Sequence, residues 1–146
     1  MTVLISMAAN ATDRLSEMLA DESELALLIG SRAGGSARPD SDWDIAVQWR
    51  EGLSFMRCMA LTERLRKRLA GSLGCSLDAI DLIDIPDARL AMRSVIAEEG
   101  IPLKGGETLA WKHFLQRTWR DLPTTASRPW QVGFHLFGTI WKTGMP

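Results

Sequence analysis

The sequence predicts an α/β domain (α+β in its details) in which a small mixed β-sheet is flanked by helices. Short apolar runs alternate along the chain with amphipathic segments that have the period of a helix. The predicted order is helix, strand, loop, strand, helix, strand, helix, short strand and helix, without an internal repeat. With 146 residues, 46% of them hydrophobic, the chain is long enough for one domain with a hydrophobic core.

The first half of the chain predicts two helices and two strands. Residues 12–20 form an amphipathic pattern, and "LALLI" at 25–29 is a continuous apolar run, typical of a strand buried on both sides. "WDIAVQW" at 43–49 predicts a second strand with alternating faces. Residues 54–70 predict a helix that ends at one of the glycines that follow it. Its predicted apolar side comprises Phe55, Met59, Leu61, Leu65 and Leu69.

The second half predicts a third strand, two helices and a short fourth strand. "AIDLIDI" at 79–85 is an apolar run that ends at a proline, and a helical pattern over 86–100 starts near that proline and ends at a glycine. "IPLKGG" at 101–106 predicts an edge strand, because its proline has no N–H for a central ladder. Residues 107–120 predict the last helix.

The chain changes character after this helix, so we predict a domain over 1–120 and an extension of unknown structure over 121–146. The extension is apolar, with several glycines and no clear period, and four of the six tryptophans lie at or beyond Trp111. Aromatic residues are enriched in interface cores. Two uses therefore stay open: contact with a partner or a second copy, or closure over the protein's own core.

Composition excludes several classes of protein. The net charge of −1 gives no global basic field, so no direct contact with nucleic acid is expected. Cys58 and Cys75 form no zinc-binding pair, and no nucleophile elbow accompanies His113 or His135. No apolar run is long enough to span a bilayer, and the first residues lack the basic start of a signal peptide. We therefore expect a cytoplasmic protein without membrane contact.

The stretch "GSRAGGSARPDSDWD", which follows the first predicted strand, holds the candidate chemistry. A strand that ends in Gly30 and Ser31 and enters a helical turn presents main-chain N–H groups and a hydroxyl to an anion such as a phosphate. Glycine also permits a close approach of the backbone. Taken alone, a strand followed by Gly-Ser is more often an ordinary turn.

Asp42 and Asp44 close this stretch one residue apart, so that on a strand both carboxylates project to one side. At ~5 Å and an effective dielectric constant of ~20, two such charges repel by roughly 3 kcal/mol. Water, a retained proton or a cation relieves that repulsion. Hard oxygen ligands suit magnesium, which binds through a few carboxylates and substrate phosphates. A solvated turn is the alternative interpretation.

A third acid favours the metal site. The apolar strand at 79–85 carries Asp81 and Asp84, and an acid within a buried strand is costly without a partner or an ion. The two have opposite parity, so only one of them faces the other pair of acids. Two-metal phosphoryl or nucleotidyl transfer requires such a set of carboxylates.

The pattern Gly-Ser, ten residues, Asp-x-Asp closely resembles the motif of minimal nucleotidyltransferases of the DNA polymerase β superfamily. The resemblance covers roughly residues 10–105 and implies the polymerase β-like nucleotidyltransferase fold. Members commonly carry Arg or Lys where this chain has Gly34, and Ile where it has Trp43. The first difference removes a phosphate contact. The second places a bulkier side chain on the face opposite the acids.

The resemblance also implies roles for individual residues. Gly30 and Ser31 would bind the triphosphate of the incoming nucleotide. Asp42 and Asp44 would hold two magnesium ions, with manganese as the alternative. Asp81 would bind one metal and help to deprotonate the attacking hydroxyl, and Asp84 would take its place if the strand register differs.

The smallest members of this superfamily are often antitoxins paired with HEPN-domain toxins, onto a tyrosine of which they transfer AMP from ATP. The chain has no tyrosine, so such an acceptor would lie on another protein. Three hypotheses follow: an adenylyltransferase acting on a toxin, a catalytically silent antitoxin that acts by binding, and a transferase for a small-molecule hydroxyl such as that of an aminoglycoside. Association into a homo-oligomer is left open.

Overall fold

The computed structural model describes residues 11–19 and 22–123. Five helices and four strands occur in this part of the chain, and their order is the predicted one except for a single-turn helix in the loop between the first two strands. They are α1 (11–18), β1 (Ser23–Ile29), α2 (Ser31–Gly34), β2 (Trp43–Trp49), α3 (Phe55–Leu73), β3 (Ile80–Asp84), α4 (Leu90–Glu99), β4 (Ile101–Lys104) and α5 (Leu109–Asp121). A short 3-10 turn, Leu77–Ala79, leads into β3. The predicted fold class, a small mixed sheet flanked by helices, is confirmed.

The four strands form one sheet in the order β3-β2-β1-β4. β1 pairs antiparallel with both β2 and β4, whereas β2 and β3 are parallel. A parallel pair needs a long crossover, and α3 supplies it. β4 lies at an edge, as its proline predicted, and β3 lies at the other. The central position of β1 explains why its apolar run is continuous.

Two apolar clusters pack on opposite faces of the sheet, and strand alternation assigns each residue to one of them. We call the first the α3 face: it contains Leu15, Ala26, Leu28, Ile45, Val47, Leu61, Leu65, Leu69 and Ile80. We call the second the α4–α5 face: it contains Leu25, Leu27, Ile29, Ala46, Ile85, Ile96, Phe114 and Leu115. Both faces of the sheet are therefore covered by helices.

Helix α3 is bounded by the residues that its sequence predicts, but its apolar side differs from the prediction. The Ser54 hydroxyl accepts a hydrogen bond from the main-chain N–H of Arg57 at 3.1 Å, and Gly74 caps the end at φ 68°. Phe55 and Met59 are 74% and 50% exposed, so their assignment to the buried side was wrong. Met59 precedes the buried Leu61 by two residues, which places it about 200° away around the helix.

Helix α4 begins later than predicted. The main-chain N–H of Asp87 donates to the carbonyl of Asp84, and that of Ala88 donates to Ile85, which makes a turn after β3. The helix therefore starts at Leu90 and not at Pro86. The predicted extension lies outside the described residues from 124 onward. No helix in the described part of the chain is long and apolar enough to cross a membrane.

Candidate active site

The candidate site forms where the end of β1 meets the beginnings of β2 and β3. Ile29, the last residue of β1, lies opposite Asp44 of β2 in the antiparallel pair. Asp44 in turn lies opposite Asp81 of β3 in the parallel pair. Residues opposite one another in a sheet project to the same face. Asp44 and Asp81 therefore share the α4–α5 face, and Asp44 lies immediately beside Gly30.

The main chain at Gly30 lies close against the side chain of Asp44. The backbone of Gly30 has φ 74° and ψ −159°, a region that is essentially restricted to glycine. A Cβ atom added here would overlap Oδ2 of Asp44 and lie 3.2 Å from its Cγ. Glycine is thus required twice, by the backbone conformation and by the neighbouring carboxylate. The Gly-Ser and the Asp-x-Asp parts of the motif are in direct contact.

Helix α2 is a single turn that begins at Ser31. The main-chain N–H groups of Ala33 and Gly34 both donate to the carbonyl of Gly30 at 3.1 Å, and Gly35 ends the turn in the left-handed conformation. The N–H groups at the start of such a turn have no partner within the helix. Together with the half-buried Ser31 they are donors that an anion can use.

Asp44 lies in surroundings that raise the pKa of its carboxyl group. Partial burial raises the pKa of Asp44, and the negative charges of Asp81 and Asp42 raise it further. Asp42 precedes the first residue of β2 and is exposed, as is Asp81. Repulsion from the neighbouring negative charges thus acts on Asp44, in addition to its burial. A cation bound between these carboxylates would remove this repulsion.

The two acids of β3 face opposite sides of the sheet. Asp81 lies opposite Asp44, whereas Asp84 lies opposite Val47 and belongs to the α3 face. Desolvation raises the pKa of Asp84, and the nearby Asp87 raises it further. Of the two residues that the sequence left open, only Asp81 shares a face with Asp44.

The donor chemistry of Asp42, Asp44 and Asp81 fits a divalent cation. All three are carboxylates, the hard oxygen ligands that Mg²⁺ and Mn²⁺ accept. Asp44 and Asp81 lie on one side of the sheet, and the charges of Asp81 and Asp42 both act on Asp44. Within residues 11–19 and 22–123, however, no three acidic, histidine or cysteine side chains lie together as a group that could hold a metal ion. The three carboxylates are thus not arranged as a complete metal site, and an ion held here would take further ligands from water and phosphate oxygens.

Arg32 is a site residue that the sequence reasoning missed. Its guanidinium donates to the main-chain carbonyl of Ser41 from Nη2 at 2.7 Å and from Nε at 3.2 Å, and to the carbonyl of Pro39 at 3.3 Å. Its Cζ atom lies 4.1 Å from the centroid of the Trp43 ring. The signal in the sequence was an arginine directly after Gly-Ser and an aromatic residue between the paired acids.

A cavity of about 370 Å³ lies away from this site, between α1 and α3. Glu17, Glu22, Arg64 and Arg68 line it together with three leucines. Its walls belong to the α3 face, whereas Asp44 and Asp81 lie on the other face. This cavity and the candidate chemistry are therefore separate features.

Comparison with known proteins assigns the family. Residues 14–107 match the model of the family "Polymerase beta, Nucleotidyltransferase", which covers more than half of the chain. The chain belongs to this family, as the Gly-Ser and Asp-x-Asp motif predicted. No curated protein matches the chain.

Solved structures with the same fold come from toxin–antitoxin complexes. One, a toxin–antitoxin with AMP-PNP, has a TM-score of 0.57 at 23% identity over 90% of this chain and 93% of that chain. A second contains a tri-AMPylated HEPN toxin with an MNT antitoxin from Shewanella oneidensis, with a TM-score of 0.57 at 19% identity over 91% and 94% of the two chains. A third, MntA-HepT, has a TM-score of 0.53 at 20% identity over 92% and 94%. At these identities the similarity establishes the fold.

Proposed function

We propose that this protein is a metal-dependent adenylyltransferase that transfers AMP from ATP to a hydroxyl of a partner toxin and so acts as an antitoxin. One observation carries the proposal: Asp44 and Asp81 share a sheet face, and Gly30 contacts Asp44 directly. A phosphate-binding turn and a carboxylate set are thus adjacent, as nucleotidyl transfer requires. The family and the fold support the same class of reaction.

The proposed division of labour follows from the position of each group. Gly30 and Ser31 offer main-chain N–H groups and a hydroxyl to the triphosphate, and the missing side chain at Gly30 leaves room for it. Asp42, Asp44 and Asp81 would hold the divalent ions. When bound, such ions neutralise phosphate charge and lower the pKa of the attacking hydroxyl.

In the proposed reaction the acceptor oxygen forms a bond to the α-phosphorus of ATP. The bond between that phosphorus and the oxygen that bridges the α- and β-phosphates breaks, and pyrophosphate leaves with that oxygen and the electron pair. The acceptor proton passes to the exposed carboxylate of Asp81, which a hydroxyl from outside can reach. Asp44 is less accessible and lies against Gly30, so its part is to orient the phosphates and their metal.

The proposed acceptor is a tyrosine of a separate protein. The chain contains no tyrosine, which excludes transfer to a tyrosine of its own. Asp81 is exposed and lies on β3, an edge strand of the sheet formed by the described residues, which supports an acceptor that approaches from another protein. One structure with this fold holds an AMPylated toxin, and another holds AMP-PNP. These neighbours support the choice of ATP as donor and of a HEPN-type toxin as acceptor.

The test is transfer of label from α-labelled ATP to the toxin encoded beside this protein, with and without Mg²⁺. We expect label on the toxin with the wild type, and a loss of at least about 1,000-fold with Asp42→Asn or Asp44→Asn, because each removes a metal ligand. EDTA should abolish transfer, and Mn²⁺ should restore it. Asp40→Asn is a matched control, since Asp40 is an exposed acid of the same loop.

Two other outcomes would replace the proposal. If the toxin remains unlabelled but is neutralised equally by the wild type and by the variant that carries both Asp42→Asn and Asp44→Asn, the protein acts by binding. If label passes only to an added aminoglycoside or a similar alcohol, the acceptor is a small molecule.

A further inference from the structure

Arg32 connects the phosphate-binding turn to the loop that carries the first acid. It lies in α2, one residue after Ser31, and its guanidinium donates three hydrogen bonds to the carbonyls of Ser41 and Pro39. Ser41 immediately precedes Asp42. The two parts of the motif are therefore joined by a side chain as well as by the main chain.

The same guanidinium lies against the residue on the other side of Asp42. The Cζ atom of Arg32 is 4.1 Å from the Trp43 ring centroid, within the range of a cation–π contact. Trp43 packs on the α3 face, whereas Asp44, the next residue of β2, projects to the α4–α5 face. Arg32 thus contacts both neighbours of Asp42 in the chain.

We propose that Arg32 and Trp43 act as a clamp that sets the position of Asp42 relative to Gly30 and Ser31. The inference rests on the proposed function for its catalytic consequence. Arg32 is a positioning residue in this role, because it acts on Asp42 through the carbonyl of Ser41 and the ring of Trp43. The Nε and Nη2 groups of Arg32 already donate to carbonyl oxygens of the loop.

Apart from Arg32, few contacts hold the loop. The N–H of Ser36 donates to the carbonyl of Ser31 at 3.1 Å, and the N–H of Arg38 donates to Oγ of Ser41 at 2.8 Å. Residues 34–40 are exposed, and nothing lies within 4 Å of a Cβ added at Gly34 or Gly35. A turn at its end is closed by the N–H of Ser41, which donates to the carbonyl of Arg38 at 3.0 Å. Misplacement of a reacting group by about 1 Å can lower a rate about 100-fold. A guanidinium can stack its planar face on a ring while its forked N–H groups donate, whereas a lysine ammonium has neither a planar face nor a fork.

The decisive experiment separates positioning from direct contact with the phosphates. We expect Arg32→Lys and Trp43→Leu each to lower kcat about tenfold while the KM for ATP changes less than about twofold, since an interaction that orients the acid acts on the transition state. The variant with both substitutions should be no slower than the slower single variant, because both break one unit. Trp43→Phe keeps an aromatic face and should restore most of kcat.

Arg38→Lys is the matched control, because Arg38 is an exposed arginine of the same loop. It should leave kcat unchanged. A rise of tenfold or more in the KM for ATP with kcat unchanged in Arg32→Lys would overturn the proposal in favour of a phosphate ligand. Multiplicative effects of the two substitutions, or wild-type kcat in Trp43→Leu, would overturn it as well.

Hydrogen exchange tests the clamp without reference to activity. We expect Arg32→Lys and Trp43→Leu to speed exchange of the Ser41 amide about tenfold, with core amides such as that of Leu27 unchanged. Unchanged exchange at Ser41 in both variants would refute the clamp. If the wild type transfers no AMP, the proposed function fails, and the exchange rates still decide whether the clamp exists.

Discussion

The two faces of the sheet are built from the same strands but have different content at one end. On the α3 face, Trp43, Ile45 and Val47 of β2 all contact the apolar cluster. On the α4–α5 face, Ala46 of β2 belongs to the apolar cluster. Asp44, two residues earlier on the same face of β2, is an acid and lies outside that cluster. α4 and α5 pack against β1 and leave the beginnings of β2 and β3 to the acids.

The difference shows how a small sheet combines a core with a reactive end. One face is apolar along the full length of β2, so it can stabilise the fold without involvement in chemistry. The other is apolar only where helices cover it. Because successive side chains alternate in direction, one strand supplies both Trp43 to the core and Asp44 to the site. A site at the uncovered end of the sheet therefore replaces only a few buried apolar residues.

The largest expected effects test whether both faces stabilise the fold. Leu69 on the α3 face and Leu27 on the α4–α5 face are both fully buried. We expect Leu69→Ala and Leu27→Ala each to lower the free energy of unfolding by about 2–5 kcal/mol, measured by urea denaturation. A loss below about 1 kcal/mol for Leu27→Ala would mean that the α4–α5 face is not a true core.

The next effect concerns the contact between the turn and the acids. Gly30→Ala places a methyl group on the Asp44 carboxylate in a backbone region that alanine rarely adopts. We expect a loss of about 2–4 kcal/mol in the free energy of unfolding, together with loss of transfer. Gly35→Ala is the comparison: it also has positive φ but has open space around it, and should cost about 1–2 kcal/mol. Equal losses would remove the special role of Gly30.

The third effect compares the two acids of β3, which face opposite sides. We expect Asp81→Asn to lower transfer about 100-fold or more, because it removes the proposed proton acceptor beside Asp44. Asp84→Asn should stay within about twofold of the wild type, since Asp84 lies on the α3 face. Labelled-ATP transfer with both variants at equal concentration measures this, and the reverse ranking would contradict the register.

The smallest effect concerns the ion pair between α4 and α5, which secures the covered part of the α4–α5 face. Arg93 donates to Asp121 at 3.0 Å, and this hydrogen bond holds the pKa of Asp121 below its usual value. Because the folded pKa is lowered, the pair stabilises the fold at neutral pH and the contribution is lost as pH falls through the lowered value.

We therefore expect Asp121→Asn to have a slightly lower unfolding temperature than the wild type at pH 7, with the gap closing in acid. High salt should also narrow the gap, since the pair is partly exposed. A gap that widens in acid would contradict this account.

Much of the fold was predictable from local pattern. The order of helices and strands, the extent of β2 and the edge position of β4 all follow from periodicity and from single prolines. The apolar side of α3 was predicted only in its second half, because Phe55 and Met59 are hydrophobic but lie outside the buried stripe of this helix and are exposed. Hydrophobicity does not reveal where a long helix ceases to contact a short strand.

Some residues of the candidate site were also predictable from local sequence, and others were not. Gly30, Ser31, Asp42 and Asp44 were recognisable because one short segment carries them at a fixed spacing, and spacing is local information. The preference for Asp81 over Asp84 required the register of β2 against β3, two strands joined through α3. The contacts of Arg32 with Ser41 and Trp43 required the path of the loop. Periodicity shows only that two residues face opposite ways; which of them meets a residue of another strand depends on how the crossover helix packs.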